Sequence, residues 1–371
     1  MNPPPPGRHT SRLIPLPQGG APSIARQDRP PKPMPSDARR SSSSAVRTWH
    51  PVLPLLLLVA LLFAAGCATR PPVDKPFDFA LIGDTPYDAK QVTNLFPNLM
   101  RELNAADLAF VAHVGDIKAG DTPCTDDLFE ARLADFQRSR HPFIYLFGDN
   151  EWTDCARLTN GFDPEERLQK LRQLFCADDL SLGRCRLPLA RQSNDPRHAP
   201  FRENVRWERA GIHFVGLNIP GASNNHGKPE YAARNAANLD WLRDAFSFAK
   251  VDNARALMIL IQANPFPERG STNRVHPGFR PLLDLLETET VAFQKPVVLV
   301  HGDSHYFRID KPLVSSVSKR RLENFTRVET FGHPDVHWLR VTADPADPAI
   351  FTFRQQLVLS NHVNHLPRPG K

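Results

Sequence analysis

The sequence predicts an α/β domain with a parallel or mixed sheet and helices on the faces of that sheet. From residue 77 onward, short apolar runs alternate with longer segments of helical spacing, which is the pattern of strands connected by helices. The chain also shows no internal repeat of fixed period and no break in composition beyond this point. A single domain over residues 72–360 is therefore the simplest organisation.

Each element is predicted from its own pattern. Short, mostly apolar runs indicate buried strands, at 77–83, 108–114, 143–147, 256–261 and 296–300. Apolar residues that recur every three or four positions indicate helices, at 87–103, 128–136, 164–175, 230–248 and 279–286. Residues 205–208 and 212–219 predict a hairpin around Ala210-Gly211, and the polar stretch 221–226 after it predicts an exposed loop. Residues 325–331, 337–342 and 350–353 predict a second, antiparallel portion, which adds α+β character.

Residues 1–46 differ from the rest of the chain in composition. They are rich in Pro, Ser and Arg and have no apolar periodicity, so we expect them to be disordered, because they bury too little surface to offset their ordering entropy. The first 66 residues hold eight Lys and Arg against two Asp, an excess equal to the whole chain's formal charge of +6. The remainder is neutral by this count, and the basic balance does not indicate nucleic-acid binding.

Residues 47–67 have the features of a signal peptide. Arg47 precedes the apolar run 52–65, whose 14 residues are too few for a membrane-spanning helix. Ala64-Ala65-Gly66-Cys67 resembles a bacterial lipobox, which implies that Cys67 is lipidated and becomes the mature N-terminus; an ordinary signal peptide with an incidental cysteine is the alternative. We therefore expect an exported, periplasmic lipoprotein that contacts the membrane only through its lipid, at the outer membrane if the source is Gram-negative. Met34 is an alternative start that would leave a leader of ordinary length.

Four further cysteines remain once Cys67 is assigned to lipid. An even number in an oxidising compartment suggests two disulfides with three possible pairings, among Cys124, Cys155, Cys176 and Cys185. A Cys124–Cys155 bridge would join two loops near the site described next, and a Cys176–Cys185 bridge would close a short loop. Buried free thiols are the alternative. No CxxC spacing occurs, so a zinc knuckle is not indicated.

Ligand-type side chains follow five of the predicted strands. Gly-Asp pairs end three of them, at Asp84, Asp116 and Asp149, and Gln262, Asp303 and His305 follow two more. Ligands of open α/β sheets bind beyond the carboxyl ends of the strands, so we expect these side chains to converge. Two carboxylates about 4 Å apart repel by about 4 kcal/mol at an effective dielectric of 20. A pair of divalent cations would relieve this repulsion, and two-metal sites are suited to phosphoester hydrolysis.

In order and strand context, these blocks resemble the calcineurin-like metallophosphoesterase superfamily. The blocks here are Asp84-Thr85-Pro86, Gly115-Asp116-Ile117-Lys118-Ala119, Gly148-Asp149-Asn150-Glu151, Gln262 and Gly302-Asp303-Ser304-His305. The resemblance covers residues 77–342 and implies a two-layered β-sandwich of mixed sheets flanked by helices. It further implies one metal held by Asp84, Asp116 and His305. A second metal would be held by Asp116, Asp149, Gln262 and Asp303, with Asp116 bridging the two.

The departures from the family pattern affect the expected metal. Pro86, Gln262 and Asp303 stand where the family has histidine ligands, and Asp149 stands where it has asparagine. Oxygen ligands favour hard cations, so we expect Mg²⁺ or Mn²⁺, with Ca²⁺ also compatible, rather than zinc or iron.

The family's catalytic histidine is replaced by Asn150. An asparagine donates hydrogen bonds but cannot act as a general acid, so the candidate replacement acids are Glu151, His301 and His333. The catalytic residues are predicted to be Asn150, Asp116 and His305. The predicted substrate contacts are Asn150, Asn225 and Lys118. The alternative for Lys118 is that it is a solvated loop residue, and the alternative for Asn225 is that it belongs to a plain turn.

Together, these patterns predict an exported, metal-dependent phosphoesterase that hydrolyses a phosphomonoester or phosphodiester. The substrate would be a phosphorylated small molecule or lipid. A catalytically inactive relative that binds a phosphorylated ligand or partner is the alternative, because the catalytic histidine and most nitrogen ligands are lost.

Overall fold

A computed structural model describes residues 75–157, 161–267 and 274–362. The predicted leader 1–46, the signal peptide 47–67 and the lipidation site Cys67 lie outside the described residues. No helix within the described ranges is both long enough and apolar enough to cross a membrane.

The described residues contain twelve strands in two mixed sheets. In chain order they are β1 (Phe77–Ile82), β2 (Val111–His113), β3 (Phe143–Tyr145), β4 (Ala190–Arg191), β5 (Val205–Arg209), β6 (Ile212–Gly216), β7 (Ala256–Leu260), β8 (Val297–His301), β9 (Arg308–Asp310), β10 (Phe325–Glu329), β11 (Trp338–Ala343) and β12 (Phe351–Gln356). The first sheet has the order β12-β11-β1-β2-β3, and the second has the order β4-β5-β6-β7-β8-β10-β9. Strands β1, β2 and β3 are parallel, as are β6, β7, β8 and β10, while the other pairs are antiparallel.

Five longer helices cover the outer faces of the sheets. They are α1 (Phe96–Ala105), α2 (Asp126–Gln137), α3 (Pro164–Phe175), α4 (Tyr231–Val251) and α5 (Arg280–Phe293). A π-helical turn, Gln91–Leu95, runs into α1. The side chain of Asp163 accepts hydrogen bonds from the Glu165 and Glu166 N–H groups, and Pro164 occupies the first turn, so α3 begins at this residue as predicted.

Each central strand is buried on both faces. In β1, Phe79 and Leu81 face the interior between the two sheets, while Ala80 and Ile82 face the helices that cover the first sheet. The inter-sheet core contains stacked and edge-on aromatic rings, such as Phe79 and Phe110, whose centroids lie 4.6 Å apart. The predominantly apolar sequences of these strands follow from this two-sided burial. The predicted two-layered sandwich of mixed sheets flanked by helices is confirmed.

Two structural expectations are wrong in part. The last three predicted strands do not form a separate antiparallel portion, because β10 pairs parallel to β8 in the second sheet while β11 and β12 extend the first. The polar stretch 221–226 is not simply an exposed loop. Asn224 within it is fully buried, because its side chain bonds to Arg234 and to the Gly278 carbonyl.

One disulfide lies beside the third block of the predicted site. Cys124 and Cys155 are bonded, with 5.8 Å between their Cα atoms, and both sulfur atoms lie near the Asn150 carbonyl oxygen. Cys176 is a buried free thiol, so the expectation that all four cysteines form disulfides is wrong for this residue, and the alternative of a buried free thiol holds there. Cys185 is disulfide-bonded. Burial raises the pKa of the Cys176 thiol to about 11, which keeps it protonated and unreactive at neutral pH.

Candidate metal centre

The carboxyl ends of parallel strands from both sheets meet at one edge of the sandwich. Strands β1, β2 and β3 run side by side and are followed by Asp84, Asp116 and Asp149. Strands β7 and β8 run side by side in the second sheet and are followed by Gln262 and Asp303. The Asp303 N–H donates to Asp84 Oδ1 at 3.0 Å, which joins the two sheets at this point. The structure therefore brings the predicted blocks together.

Several of these residues have an uncommon backbone conformation. The φ angles are 51° at Asp84, 61° at Asp116, 75° at Asp303 and 58° at His305. Residues with a Cβ atom rarely adopt positive φ, and such residues cluster at functional sites, where the surrounding structure holds them in place. The turns after β1, β2 and β8 thus share a conformation that aims their side chains toward a common point.

Asp84, Asp116 and His305 form a compact group of potential metal ligands. One ligand atom from each lies within 4.8 Å of the others. His305 Nε2 is 3.7 Å from Asp84 Oδ1. Asp84 is fully buried and Asp116 is 3% exposed, whereas the His305 side chain is 29% exposed. These are the three residues predicted to hold the first metal.

Tyr87 lies among these three residues, although no sequence pattern indicates a role for it. Its hydroxyl donates to Asp116 Oδ2 at 2.9 Å, lies 3.1 Å from His305 Nε2 and accepts from Asn150 Nδ2 at 3.0 Å. Burial, followed by the charge of Asp116, raises the pKa of Tyr87 well above its usual value, so the hydroxyl stays protonated. The only sequence signal for Tyr87 is its position three residues after Asp84. This segment is predicted as the start of a helix, but the helix in the structure begins after it.

Asn150 and Lys118 both form hydrogen bonds with other groups of the protein. The Asn150 main-chain N–H donates to Asp116 Oδ1 at 3.1 Å, and its side-chain amide donates to the Lys118 carbonyl at 2.9 Å. Lys118 is 1% exposed and its ammonium group donates to the Ala119 carbonyl, so the alternative of a solvated loop residue is wrong. Burial lowers the pKa of Lys118, while the negative charges of Glu151 and Asp116 oppose that shift.

The residues assigned to a second metal lie at the same edge but are more spread out. Gln262 Nε2 donates to Asp116 Oδ2 at 3.2 Å, and its Oε1 accepts from the Gly221 N–H. The Asp149 carboxylate packs so close to Gly221 that an added Cβ there would lie 2.8 Å from Oδ1. Asp303 Oδ2 accepts from a main-chain N–H at 3.0 Å. Among the described residues, Asp149 and Asp303 do not belong to a three-residue ligand group of the kind formed around Asp84.

The carboxylates raise one another's pKa values. For Asp84 and Asp116, burial is the largest cause, and neighbouring carboxylates add to it, so both pKa values lie well above the usual range. For Asp149, burial and then the charge of Asp303 raise the pKa to about 8. Carboxyl groups in these surroundings hold protons unless a cation binds beside them.

Two buried oxygen atoms indicate where a cation would fit. Asp84 Oδ2 and Asp149 Oδ1 have no hydrogen-bond partner among the described residues. A buried, unpartnered carboxylate oxygen costs several kcal/mol relative to one in water, and a divalent cation would remove that cost. The donor set is mostly carboxylate and amide oxygen, so the residues present fit a hard cation.

The three candidate replacement acids occupy structural positions. Glu151 is fully buried and accepts hydrogen bonds from the Tyr145 hydroxyl and from the Asp116 and Gly148 N–H groups. His301 Nδ1 lies 2.7 Å from the Gly302 carbonyl oxygen.

His333 stacks on the Tyr87 ring at 5.3 Å between centroids, and its Nδ1 lies 2.8 Å from Gln91 Nε2. Asn225, predicted as a substrate contact, donates to Glu230 at 2.8 Å. No hydrogen bond between Asn225 and the strand-end carboxylates occurs in the described part of the chain.

Comparisons with solved structures identify the fold. The chain is similar to PhoD, with a TM-score of 0.52 and 12% identity over 75% of this chain. It is also similar to the purple acid phosphatase PPD1 from yellow lupin (Lupinus luteus) seeds, with a TM-score of 0.50 and 13% identity over 78% of this chain. The chain has the calcineurin-like phosphoesterase fold.

The similarity covers only part of each of these two solved structures. This chain spans 65% of the PhoD chain and 53% of the purple acid phosphatase chain. No protein-family model matches the chain, and no curated protein matches it by sequence. The likeness is therefore one of fold, and the resemblance predicted from the five sequence blocks is confirmed at that level.

Proposed function

We propose that this protein is a metal-dependent phosphoesterase. The observation that carries this proposal is the buried group of Asp84, Asp116 and His305, in which a carboxylate oxygen has no partner among the described residues. Four carboxyl groups at one edge of a phosphoesterase fold would be electrostatically unfavourable in ionised form unless a cation bound there. The fold of PhoD and of the purple acid phosphatase supports the same reaction class.

In this proposal, Asp84, Asp116 and His305 hold one divalent cation. Asp116, Asp149, Gln262 and Asp303 hold a second cation, with Mg²⁺ or Mn²⁺ favoured by the oxygen donors. When bound, such cations neutralise the charge of a phosphoryl group and provide a nucleophile from water at neutral pH.

The protein's own residues would orient the substrate. The Tyr87 hydroxyl fixes Asp116 Oδ2, and Asn150 fixes both Tyr87 and Asp116 Oδ1, so these two residues position the bridging carboxylate. Asn150 cannot supply a proton to the leaving group, so a substrate with a good leaving group suits this site best. Lys118 contributes a buried positive charge next to Asp116. Asn225 is the further proposed substrate contact.

The test is hydrolysis after chelation. Protein treated with EDTA is supplied with Mg²⁺, Mn²⁺, Ca²⁺ or Zn²⁺ and assayed with p-nitrophenyl phosphate and with its bis-ester. We expect hydrolysis that depends on Mg²⁺ or Mn²⁺ and that is absent from an Asp116→Asn variant. Equal rates in the wild-type and variant proteins would rule out catalysis at this centre.

A catalytically inactive, phosphate-binding relative is the second candidate. The satisfied amide of Asn150 and the absence of a histidine in its place favour this alternative. If no phosphoester is hydrolysed, but inorganic phosphate binds only when a divalent cation is present, the binding function replaces the enzymatic one.

We also propose that the protein is exported and lipidated at Cys67. The lipobox-like sequence Ala64-Ala65-Gly66-Cys67 supports this proposal. Mass spectrometry of the protein purified from membranes should find a diacylglyceryl group on an N-terminal Cys67. A retained leader, or a Cys67 that forms a disulfide, would exclude lipidation.

A further inference from the structure

A cationic cavity lies directly beside the candidate metal centre. Its volume is about 730 Å³, within the range of small-molecule sites. Ser304 lines it, and Ser304 stands in the chain between Asp303 and His305, two of the proposed metal ligands. The cavity therefore opens from the same turn that carries those ligands.

The walls of this cavity carry more positive than negative charge. Among the residues that the structure describes, four cationic side chains and one acidic side chain line it: Arg308, Lys311, Arg321, Arg327 and Asp310. The acidic group is already paired, because Asp310 accepts two hydrogen bonds from Arg327, at 2.8 and 2.6 Å. Arg308 is likewise paired, through Nε, with the buried Glu329 at 2.6 Å.

Lys311 and Arg321 carry charge that no carboxylate within the described ranges compensates. The Lys311 ammonium donates to two main-chain carbonyls and to the Thr326 hydroxyl, all of them neutral acceptors. Arg321 is exposed and forms no ion pair with any carboxylate in the described part of the chain. Two cationic groups without a counter-charge at one cavity raise the local concentration of anions.

Hydrogen bonds connect the cavity wall to the metal centre. Asn264 donates from its main chain to Asp303 Oδ2 at 3.0 Å and from its side chain to Ser304 Oγ at 3.0 Å. Its side-chain oxygen accepts from Arg327 at 3.2 Å. A continuous network of hydrogen bonds thus fixes the basic side chains of the cavity relative to the turn that carries the proposed metal ligands. A binding site with two subsites requires such a fixed arrangement.

We propose that this cavity binds a second anionic group of the substrate. The substrate would then be a small molecule with one phosphate at the metal centre and a further phosphate in the cavity. Tyr306, whose side chain is 67% exposed, provides an aromatic surface for the part of the molecule that joins the two phosphates. The role of this anion site in substrate binding rests on the proposed phosphoesterase function. The binding of anions in the cavity does not depend on that function.

Anion binding is tested first, without metal. Inorganic pyrophosphate is titrated calorimetrically into EDTA-treated protein, so that the metal centre cannot contribute. We expect binding that weakens at least tenfold in Arg321→Ala and is restored in part by Arg321→Lys. Arg320→Ala removes the same charge from the neighbouring residue, which does not line the cavity, and should bind as the wild type does.

Two results would overturn the proposal at this stage. One is no binding of pyrophosphate to metal-free protein, and the other is an equal loss in Arg320→Ala and Arg321→Ala.

The role in substrate selection is tested by kinetics. With metal supplied, Arg321→Ala should raise KM for a hexose bisphosphate about tenfold and leave KM for the hexose monophosphate unchanged. An equal change for both substrates would contradict the two-subsite arrangement. Pyrophosphate binding without any hydrolysis would refute the proposed enzymatic function while leaving the anion site intact.

Discussion

Two groups of ligand-type side chains occur in the described residues, and they differ in burial more than in chemistry. Asp84, Asp116 and His305 lie at the ends of strands from both sheets, and both carboxylates are almost fully buried. The other group, Glu208, His213 and Asp252, lies at the β5–β6 hairpin and the end of α4, where the Asp252 side chain is 50% exposed.

This difference determines which group requires a cation. An exposed carboxylate is satisfied by water, so Glu208 and Asp252 gain little from a metal. A buried carboxylate without a protein partner has lost its water, so the free energy of the folded protein falls when a cation binds. Residue types alone would have assigned a metal to either group.

The largest expected effect is loss of catalysis in Asp116→Asn. Asp116 contacts Tyr87, Gln262 and Asn150 and belongs to both proposed ligand sets. Loss of cation binding removes several kcal/mol of transition-state stabilisation, so the metal-dependent rate should fall more than about 1,000-fold. Asp252→Asn, in the exposed group, should retain the wild-type rate. Comparable losses in the two variants would show that burial does not distinguish the groups.

His113 allows a test of whether burial shifts a pKa outside the group of carboxylates. Its Nδ1 accepts from the Gly115 N–H and its Nε2 lies 2.8 Å from the Thr85 carbonyl oxygen, so the neutral ring is fully bonded. Burial lowers the pKa of His113 to about 4. Between pH 6.5 and pH 4, His113 binds a proton in the unfolded state but not in the folded state. The unfolding free energy that the protein has above pH 6.5 is therefore partly lost as the pH falls toward 4.

We expect this loss to amount to roughly 3 kcal/mol of unfolding free energy. In urea denaturation from pH 7 to pH 4, His113→Gln should show a flatter pH dependence than the wild type. His226→Gln, which changes an exposed histidine, serves as the control. The same slope in all three proteins would mean that His113 is not the titrating group.

Metal binding should stabilise the folded protein. At a free concentration 100 times the dissociation constant, Mg²⁺ or Mn²⁺ should add about 2.7 kcal/mol to the unfolding free energy of EDTA-treated protein, seen as a rise in Tm. The rise should disappear in Asp84→Asn and persist in Asp252→Asn. Persistence in Asp84→Asn would place the cation elsewhere.

The smallest of these effects concerns Tyr87. In Tyr87→Phe, Asp116 loses one buried hydrogen bond, worth about 1–1.5 kcal/mol, so kcat should fall about tenfold with little change in Tm. Tyr231→Phe is the matched control, because that hydroxyl donates only to the Gly278 carbonyl, outside the metal centre. An unchanged kcat in Tyr87→Phe would show that Tyr87 does not position the Asp116 carboxylate for catalysis.

Most strands and helices, and the strand ends that form the centre, could be predicted from the sequence. Strand β7 is a continuous apolar run because it is buried on both faces, and β1 is apolar apart from Asp78 near its exposed end; that pattern is local. The Gly-Asp pairs after β1 and β2 are local as well. Parallel strands bring their carboxyl ends to one edge, so the convergence of Asp84 and Asp116 followed from the strand order.

Only the tertiary structure determined the partners of these residues. The position of the Tyr87 hydroxyl beside Asp116, His305 and Asn150 depends on segments up to 218 residues apart, which no local pattern encodes. The burial of Lys118 and Asn224 within polar stretches depends in the same way on distant groups that satisfy them. Local sequence thus determines periodicity and turn chemistry, whereas long-range packing determines which polar atoms lose water and must find a partner.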